Sequence, residues 1–358
     1  MHEFSPCPEE MVARMRRMQM PSEDIENMEK AIFSSKVFLK KFLGLEIRVE
    51  PMADIVSEDT GISKWTATHL LNRMIRDARK DYEERAQGGC ADSCYRIGCM
   101  YRLGIGDDIL NDKAAEYFEI AVKGGHALAQ FELANMMFDD PVLGVQTKRA
   151  GELYSKAAEQ GVADAYVHLS GFYAMGLAGF PHSNDDFYRC LMIATEKYKR
   201  GAFEGDAYSQ YRYSRMYLSG RVLPRSEFDS ARWCLKAAEK ELADAQYELG
   251  EKYYFGKGVE KSPAKAIEWY KRAGRQGHIG ALMSLGNIYQ NGLFVPADIQ
   301  ESIRWYKKAA DLGDRLSQCH VGDMYCEQGD QHGNYKAAVE MYMRGAEKGY
   351  GASEYRMG

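Results

Sequence analysis

The chain repeats itself. The segment ADAQYELGEKYYFGKGVEKSPAKAIEWYKRAGRQGH, from Ala243, returns 36 residues later from Ile279 as IGALMSLGNIYQNGLFVPADIQESIRWYKKAADLGD. The same phase starts units at Ala91, Ala127, Ala163, Ala207 and Arg315, and a partial eighth unit begins near Gly351. Every interval is 36 residues except the 44 between Ala163 and Ala207, where the extra residues fall in GLAGFPHSNDDF, Gly176 to Phe187. A fixed period of this length predicts a solenoid, because a short unit that cannot hide its apolar side alone hides it against its neighbours. The length of 358 residues, which at roughly 150 residues per domain gives about two domains, is therefore better divided at residue 88. Residues 1–88 lie outside the period and residues 89–358 carry it.

Each unit reads as a helical hairpin. In the first helix the third, seventh and eleventh positions are apolar, small or aromatic, as in Ala245, Leu249 and Tyr253, the spacing of a buried helical stripe. The eighth position is always small: Gly98, Ala134, Ser170, Ser214, Gly250, Gly286 and Gly322. A missing side chain there predicts close approach of a neighbouring helix, offsetting the roughly 1 kcal/mol that glycine costs inside a helix. Gly104/Gly106 and Gly256/Gly258 end first helices, where a left-handed residue is needed. Second helices carry Trp269-Tyr270 or Trp305-Tyr306, then small residues such as Ala309-Ala310 and a terminal Gly313. Large residues on one helix are expected to face small ones on the next.

The pattern AxAQYxLGxxYxxGxGVxxxxxKAIEWYKRAxxQG resembles the Sel-1-like repeat, a relative of the tetratricopeptide repeat. The unit from Ala243 to Gly277 matches it almost throughout, and the resemblance runs from about Ala91 to the C-terminus. It implies an all-α fold, a right-handed α/α superhelical solenoid of seven helical-hairpin repeats, with first helices lining the concave side. It also implies an adaptor or scaffold role in signalling and assembly. The second unit departs from the pattern in FDDPVLGVQT and the seventh in EQGDQHGN. The cysteine pair that staples each repeat in some secreted members is absent.

With the third, seventh and eleventh positions buried, the second, sixth and ninth share another face. Here the repeat stops repeating. The sixth position runs Arg96, Glu132, His168, Arg212, Glu248, Ser284, His320, and the ninth runs Cys99, Asn135, Gly171, Arg215, Glu251, Asn287, Asp323. Varied polar groups on a regular scaffold form an address for a protein or peptide partner. The expected contact set is Arg96, Glu132, Asn135, His168, Tyr208, Arg212, Arg215, Glu248, Glu251, Asn287, His320 and Asp323, with an extended peptide or partner helix anchored near Tyr208, Arg212 and Arg215.

Residues 1–88 read as helices over Pro8–Met20, Ser22–Phe42 and Ser63–Arg85, with LEIRVE extended between the last two, and are expected to cap the apolar end of the array. Within them ADIVSEDTGISKWTATHLLNRMIRDARK, over 53–80, resembles a helix-turn-helix with Gly61 at the turn. Lys64, Thr66, Thr68, His69 and Arg73 would face a major groove. That makes a DNA-associated transcriptional regulator the alternative to a scaffold. Charge weighs against it: residues 1–88 carry 14 basic and 16 acidic side chains, whereas phosphate contacts dominate DNA affinity.

The whole chain has a net charge of −5, which excludes a globally basic nucleic-acid binder, and its 45% apolar and 28% charged residues exclude wholesale disorder. No apolar stretch near the N-terminus reads as a signal peptide, and no window approaches the length of a membrane span. A soluble, cytoplasmic protein is expected. The eight cysteines form no ligand or disulfide framework and are expected to be buried free thiols. Cys319 and Cys326, seven residues apart on one helix, would stand about 10 Å apart, too far for a disulfide. No GxxxxGK[ST], GxSxG or HExxH occurs. Hence no catalysis, no cofactor and no metal are expected. His126 and His278 fall in turns between repeats, and His168 and His320 recur at the sixth position, as structural or surface histidines.

Overall fold

A computed structural model describes residues 64–105, 109–139, 147–329 and 334–347. These residues form fifteen helices and no strand. The chain divides into two compact units after Lys197. The first holds α1 (Lys64–Gln87), α2 (Ala91–Leu103), α3 (Asn111–Lys123), α4 (Ala127–Asp139), α5 (Thr147–Glu159), α6 (Ala163–Met175) and most of α7 (Asn184–Glu204). The second holds the end of α7 and four hairpins. These are α8 (Ala207–Ser219) with α9 (Glu227–Glu239), α10 (Ala243–Phe255) with α11 (Pro263–Arg275), α12 (Ile279–Asn291) with α13 (Ile299–Asp311), and α14 (Arg315–Glu327) with α15 (Asn334–Glu347). The helix expected over Ser63–Arg85 is α1, which buries Leu71, Ile75 and Tyr82 in the core of the first unit. The other N-terminal helices, most of the helix-turn-helix segment and the eighth repeat lie outside the described residues. No helix among the described residues is long and apolar enough to cross a membrane.

The hairpin follows from a few fixed positions. First helices bury their third, seventh and eighth residues almost everywhere, as Ala129, Leu133 and Ala134 or Ala245, Leu249 and Gly250. The eleventh position is buried as expected in Tyr101 and Met137, but Tyr173, Tyr217, Tyr253, Tyr289 and Tyr325 are only half-buried. In most repeats the tenth sits deeper, as Met100, Phe172, Met216, Ile288 and Met324, because a helix advancing 3.6 residues per turn carries the stripe from seven to between ten and eleven. The eleventh carbonyl has its own task. It accepts from the amide just ahead of the second helix: Leu110 to Tyr101 (3.0 Å), Ser262 to Tyr253 (2.9 Å) and Asp298 to Tyr289 (2.9 Å). This bond fastens the two helices of a repeat at one end.

Small eighth residues form recesses for rings. A Cβ on Gly98, Gly250, Gly286 or Gly322 would stand 2.5–2.6 Å from ring carbons of Phe118, Tyr270, Tyr306 or Tyr342. Each ring belongs to the second helix of the same repeat, twenty residues on. The expectation of large facing small is thus met within one hairpin. Caps fix the ends. Asp206, Asp298 and Asp314 accept from Ser209, Glu301 and Ser317 amides, and Pro263 takes the first turn of α11, where its missing N–H costs nothing. Gly104 and Gly256 close α2 and α10 with φ of 67° and 74°.

The cysteines are mostly as expected: Cys94, Cys99, Cys190, Cys234 and Cys319 are buried free thiols, whereas Cys90 is half-buried and Cys326, the twelfth residue of α14, is exposed with its sulfur 3.9 Å from the Tyr342 hydroxyl.

Candidate partner-binding face

In the first unit the sixth and ninth positions are half-buried or buried and already engaged. Arg96 donates to Asp92 (2.7 Å) one turn back, with its guanidinium 5.7 Å from the Tyr82 ring. Glu132 pairs with Arg102 of the preceding repeat, yet burial holds its carboxyl above the usual range. Asn135 accepts the Tyr154 hydroxyl (2.8 Å), and His168 stacks on the same Tyr154 ring at 4.8 Å and 11°. Asn135 and His168 are therefore brought together around one tyrosine. Cys99, at the ninth position of its repeat, is buried rather than on an open face, and burial pushes its thiol up to about 12.

In the second unit two arginines are held by tyrosine hydroxyls. Arg212 Nε donates to the Tyr198 hydroxyl (3.3 Å), and its guanidinium lies 5.3 Å from the Tyr198 ring and 5.9 Å from Tyr208. Arg215 Nη1 donates to the Tyr211 hydroxyl (3.2 Å). Arg215 and Tyr208 are exposed, and Arg212 is half-buried. Burial pushes the Tyr211 hydroxyl up to about 12, with the Glu248 carboxylate adding to the rise, so the hydroxyl stays protonated at neutral pH.

One repeat on, the sign reverses. Glu248 lies 3.5 Å from Lys252, and Glu251 accepts the Tyr270 hydroxyl. Asp323 accepts the Tyr342 hydroxyl at 2.7 Å. Asn287 is exposed and accepts from Asn291 (2.5 Å). His320 stacks on Tyr306 at 5.1 Å. The second unit thus presents guanidinium groups in the repeat from Ala207 and carboxylates in the repeat from Ala243, on equivalent positions.

Three features escaped the sequence analysis. The ninth residue is a tyrosine acceptor wherever the ring nineteen residues on carries a hydroxyl that reaches it: Asn135 with Tyr154, Glu251 with Tyr270, Asp323 with Tyr342. Where that ring is Phe118 or is replaced by Cys234, the ninth residue is Cys99 or Arg215, so the signal was present as paired variation within the period. Lys252 occupies the tenth position, elsewhere apolar, and is 3% exposed, donating to Ser230 Oγ (3.0 Å). His126 and His278 are helix caps, not bystanders. Each Nδ1 accepts an amide three residues on (3.1 Å), each ring stacks on a tyrosine, Tyr95 or Tyr247, and each Nε2 faces an aspartate, Asp92 at 3.6 Å or Asp244 at 3.5 Å. An accepting Nδ1 fixes the neutral tautomer with its proton on Nε2. The bond from His278 holds the Asp244 carboxyl below its usual range.

The side chains of Lys64, Thr66, His69 and Arg73, proposed to read a major groove, lie outside the described residues.

The profile of the Sel1 repeat matches residues 91–126, 127–162, 207–242, 243–278, 279–314 and 315–350. The lengthened unit from Ala163 falls between these matches. Among curated proteins the chain is 25% identical over 174 residues to chitin synthase regulatory factor 3 of Schizosaccharomyces pombe, covering 48% of this chain and 17% of that protein. It is 28% identical over 145 residues to the exopolysaccharide production negative regulator of Rhizobium meliloti, covering 37% and 52%. The chain therefore spans at most about half the length of these relatives. Among solved structures it is similar to a Sel1 repeat protein from Oxalobacter formigenes (22% identity, 80% of each chain, TM-score 0.47). It is also similar to c5321 of uropathogenic Escherichia coli, which displays an SLR fold (22% identity, 77% of this chain and 65% of that one, TM-score 0.41), and to yeast Tom70 (12% identity, 96% and 74%, TM-score 0.47). Six matches in one phase, together spanning more than half of the sequence, place the chain in the Sel1 repeat family.

Proposed function

We propose that the chain is a non-enzymatic scaffold that binds a protein segment, as peptide or helix, along the face of its first helices. The observation that carries this reading is Arg215, exposed on α8 and making no ion pair among the described residues, beside Arg212 and Tyr208. A guanidinium oriented by a neutral hydroxyl keeps its charge and most of its donors for a partner's carboxylate. Glu248 and Glu251 on the following repeat favour a cationic group further along the same partner. The two curated relatives are named as a chitin synthase regulatory factor and a negative regulator of exopolysaccharide production, which supports a regulatory role exercised by binding.

The test is a peptide array probed with the full chain and with Arg212→Glu/Arg215→Glu. The wild type should retain peptides carrying a carboxylate cluster, and the charge-reversed chain, checked for an unchanged helical melting curve, should lose them. Unchanged retention would refute the anchoring.

A further inference from the structure

A second surface lies at the other end of the first helices, where α10 and α12 run into their loops. In three repeats the sixteenth position is held in the left-handed region: Gly258 has φ 73°, Ala178 φ 57° and Phe294 φ 65°. Only glycine takes this conformation without steric cost. At Gly258 nothing larger fits, since a Cβ would meet the Glu227 carbonyl oxygen at 2.0 Å. In the next repeat a phenylalanine carries the strained backbone, and burial offers it no compensation, because its side chain is 55% exposed. A costly conformation that presents a large apolar ring to water points to a role outside the fold.

The ring does not stand alone. Phe294 meets Tyr254 edge to face at 5.5 Å, and Tyr254 meets Phe255 at 4.9 Å. Phe255 is 54% exposed, and Phe228, whose amide lies against Gly258, is 67% exposed. Lysines flank the rings: Lys261 Nζ is 5.5 Å from the Phe294 ring centre and Lys257 Nζ 5.0 Å from that of Phe255. Both are exposed and neither makes an ion pair among the described residues. The loop between α10 and α11 holds two lysines, Lys257 and Lys261, and one carboxylate, Glu260, and Lys265 follows in the first turn of α11.

We propose that Phe228, Tyr254, Phe255 and Phe294, with Lys257 and Lys261, form a docking surface for an acidic protein segment bearing an apolar anchor side chain. The rings take the anchor, and the two lysines, already placed over π-faces, meet carboxylates on either side. Charge complementarity selects this occupant. Two lysines neutralise too few phosphates to hold a nucleic acid, whose affinity grows with each phosphate contacted. The surface is separate from the Arg212/Arg215 face and does not depend on it.

The experiment is fluorescence anisotropy of the full chain with a labelled peptide in which glutamates flank a central Trp-Phe pair. The same peptide with lysines for glutamates, and a labelled oligo-dT strand, serve as comparators. The acidic peptide should bind saturably and weaken with salt, whereas the comparators should not saturate. Phe294→Gly should weaken binding about tenfold while melting at the wild-type temperature or above, because it relieves the backbone. Lys257→Glu/Lys261→Glu should abolish binding, and Arg212→Glu/Arg215→Glu should leave it unchanged, which separates this surface from the first. No saturable binding of the acidic peptide, equal binding of either comparator, or full affinity in Phe294→Gly would overturn the proposal.

Discussion

Gly250→Ala puts one methyl group where the recess of a repeat has no room for it. The new Cβ would lie 2.6 Å from two ring carbons of Tyr270, against an ordinary carbon–carbon separation of about 3.5 Å, so the ring must retreat by about 1 Å. It has nowhere to go: Tyr270 is 1% exposed and its hydroxyl is tied to Glu251. Overpacking of this kind costs about 1–3 kcal/mol, and a strained or broken hydroxyl bond adds about 1 kcal/mol. Against this, alanine restores about 1 kcal/mol of helix propensity. The net is a destabilisation of about 2 kcal/mol, equivalent to a fall of about 4–8 °C in Tm for a unit of this size. Thermal unfolding followed by far-UV circular dichroism, with urea midpoints alongside, measures it. Gly171→Ala is the internal control. It changes the ninth residue of α6, where the nearest atom to a new Cβ is the end of Met175 at 3.9 Å. There propensity acts alone and stability should rise by about 0.5–1 kcal/mol. If both variants gain stability, the recess is not tight and the reason given for small eighth residues is wrong.

Other substitutions probe the polar contacts. Lys252→Ala strips the partner from half-buried Glu248 and from Ser230, and should cost about 3 kcal/mol in urea unfolding; Lys252→Met with Glu248→Gln should recover most of it. Tyr342→Phe removes the hydroxyl that Asp323 accepts, for a loss of about 1 kcal/mol, whereas Asp323→Asn should be nearly silent. His126 has its pKa lowered by burial, so the folded state binds fewer protons than the unfolded chain. Its contribution is complete above the unfolded value of about 6.5 and declines as pH falls from there toward the lower folded value. His126→Asn keeps a capping acceptor without the titration, and should flatten urea midpoints between about pH 7 and pH 5.

How far the sequence could be read depends on whether a feature recurs. The eighth-position recess was legible because seven units repeat a small residue there, and the Trp-Tyr pairs supplied the matching bulk. Recurrence also carried the Tyr154, Tyr270 and Tyr342 hydroxyl bonds, but only as paired changes at two positions nineteen residues apart, which a scan for one face of one helix does not see. Lys252 broke the pattern by one residue, and a lone lysine reads as surface until its neighbours are placed. Phe294 hid the left-handed turn because the glycine that signals it in Gly258 is missing. The partner face was the least legible. Polar variety marks the sixth and ninth positions, yet in Arg96, Glu132 and Asp323 much of that variety is spent on internal bonds, so exposure singles out Arg215 more sharply than sequence did.

At Gly98, Gly250, Gly286 and Gly322, recess and ring come from the same 36-residue stretch. Arrays of this kind can therefore lengthen or shorten by whole units without orphaning an aromatic. Removing residues 243–278 takes Gly250 and Tyr270 away together and splices one helix start onto another of the same register. A cut displaced by half a unit would leave a vacant notch in one helix and strand its tyrosine in another, so genetic gain and loss should respect the phase that begins at Ala91.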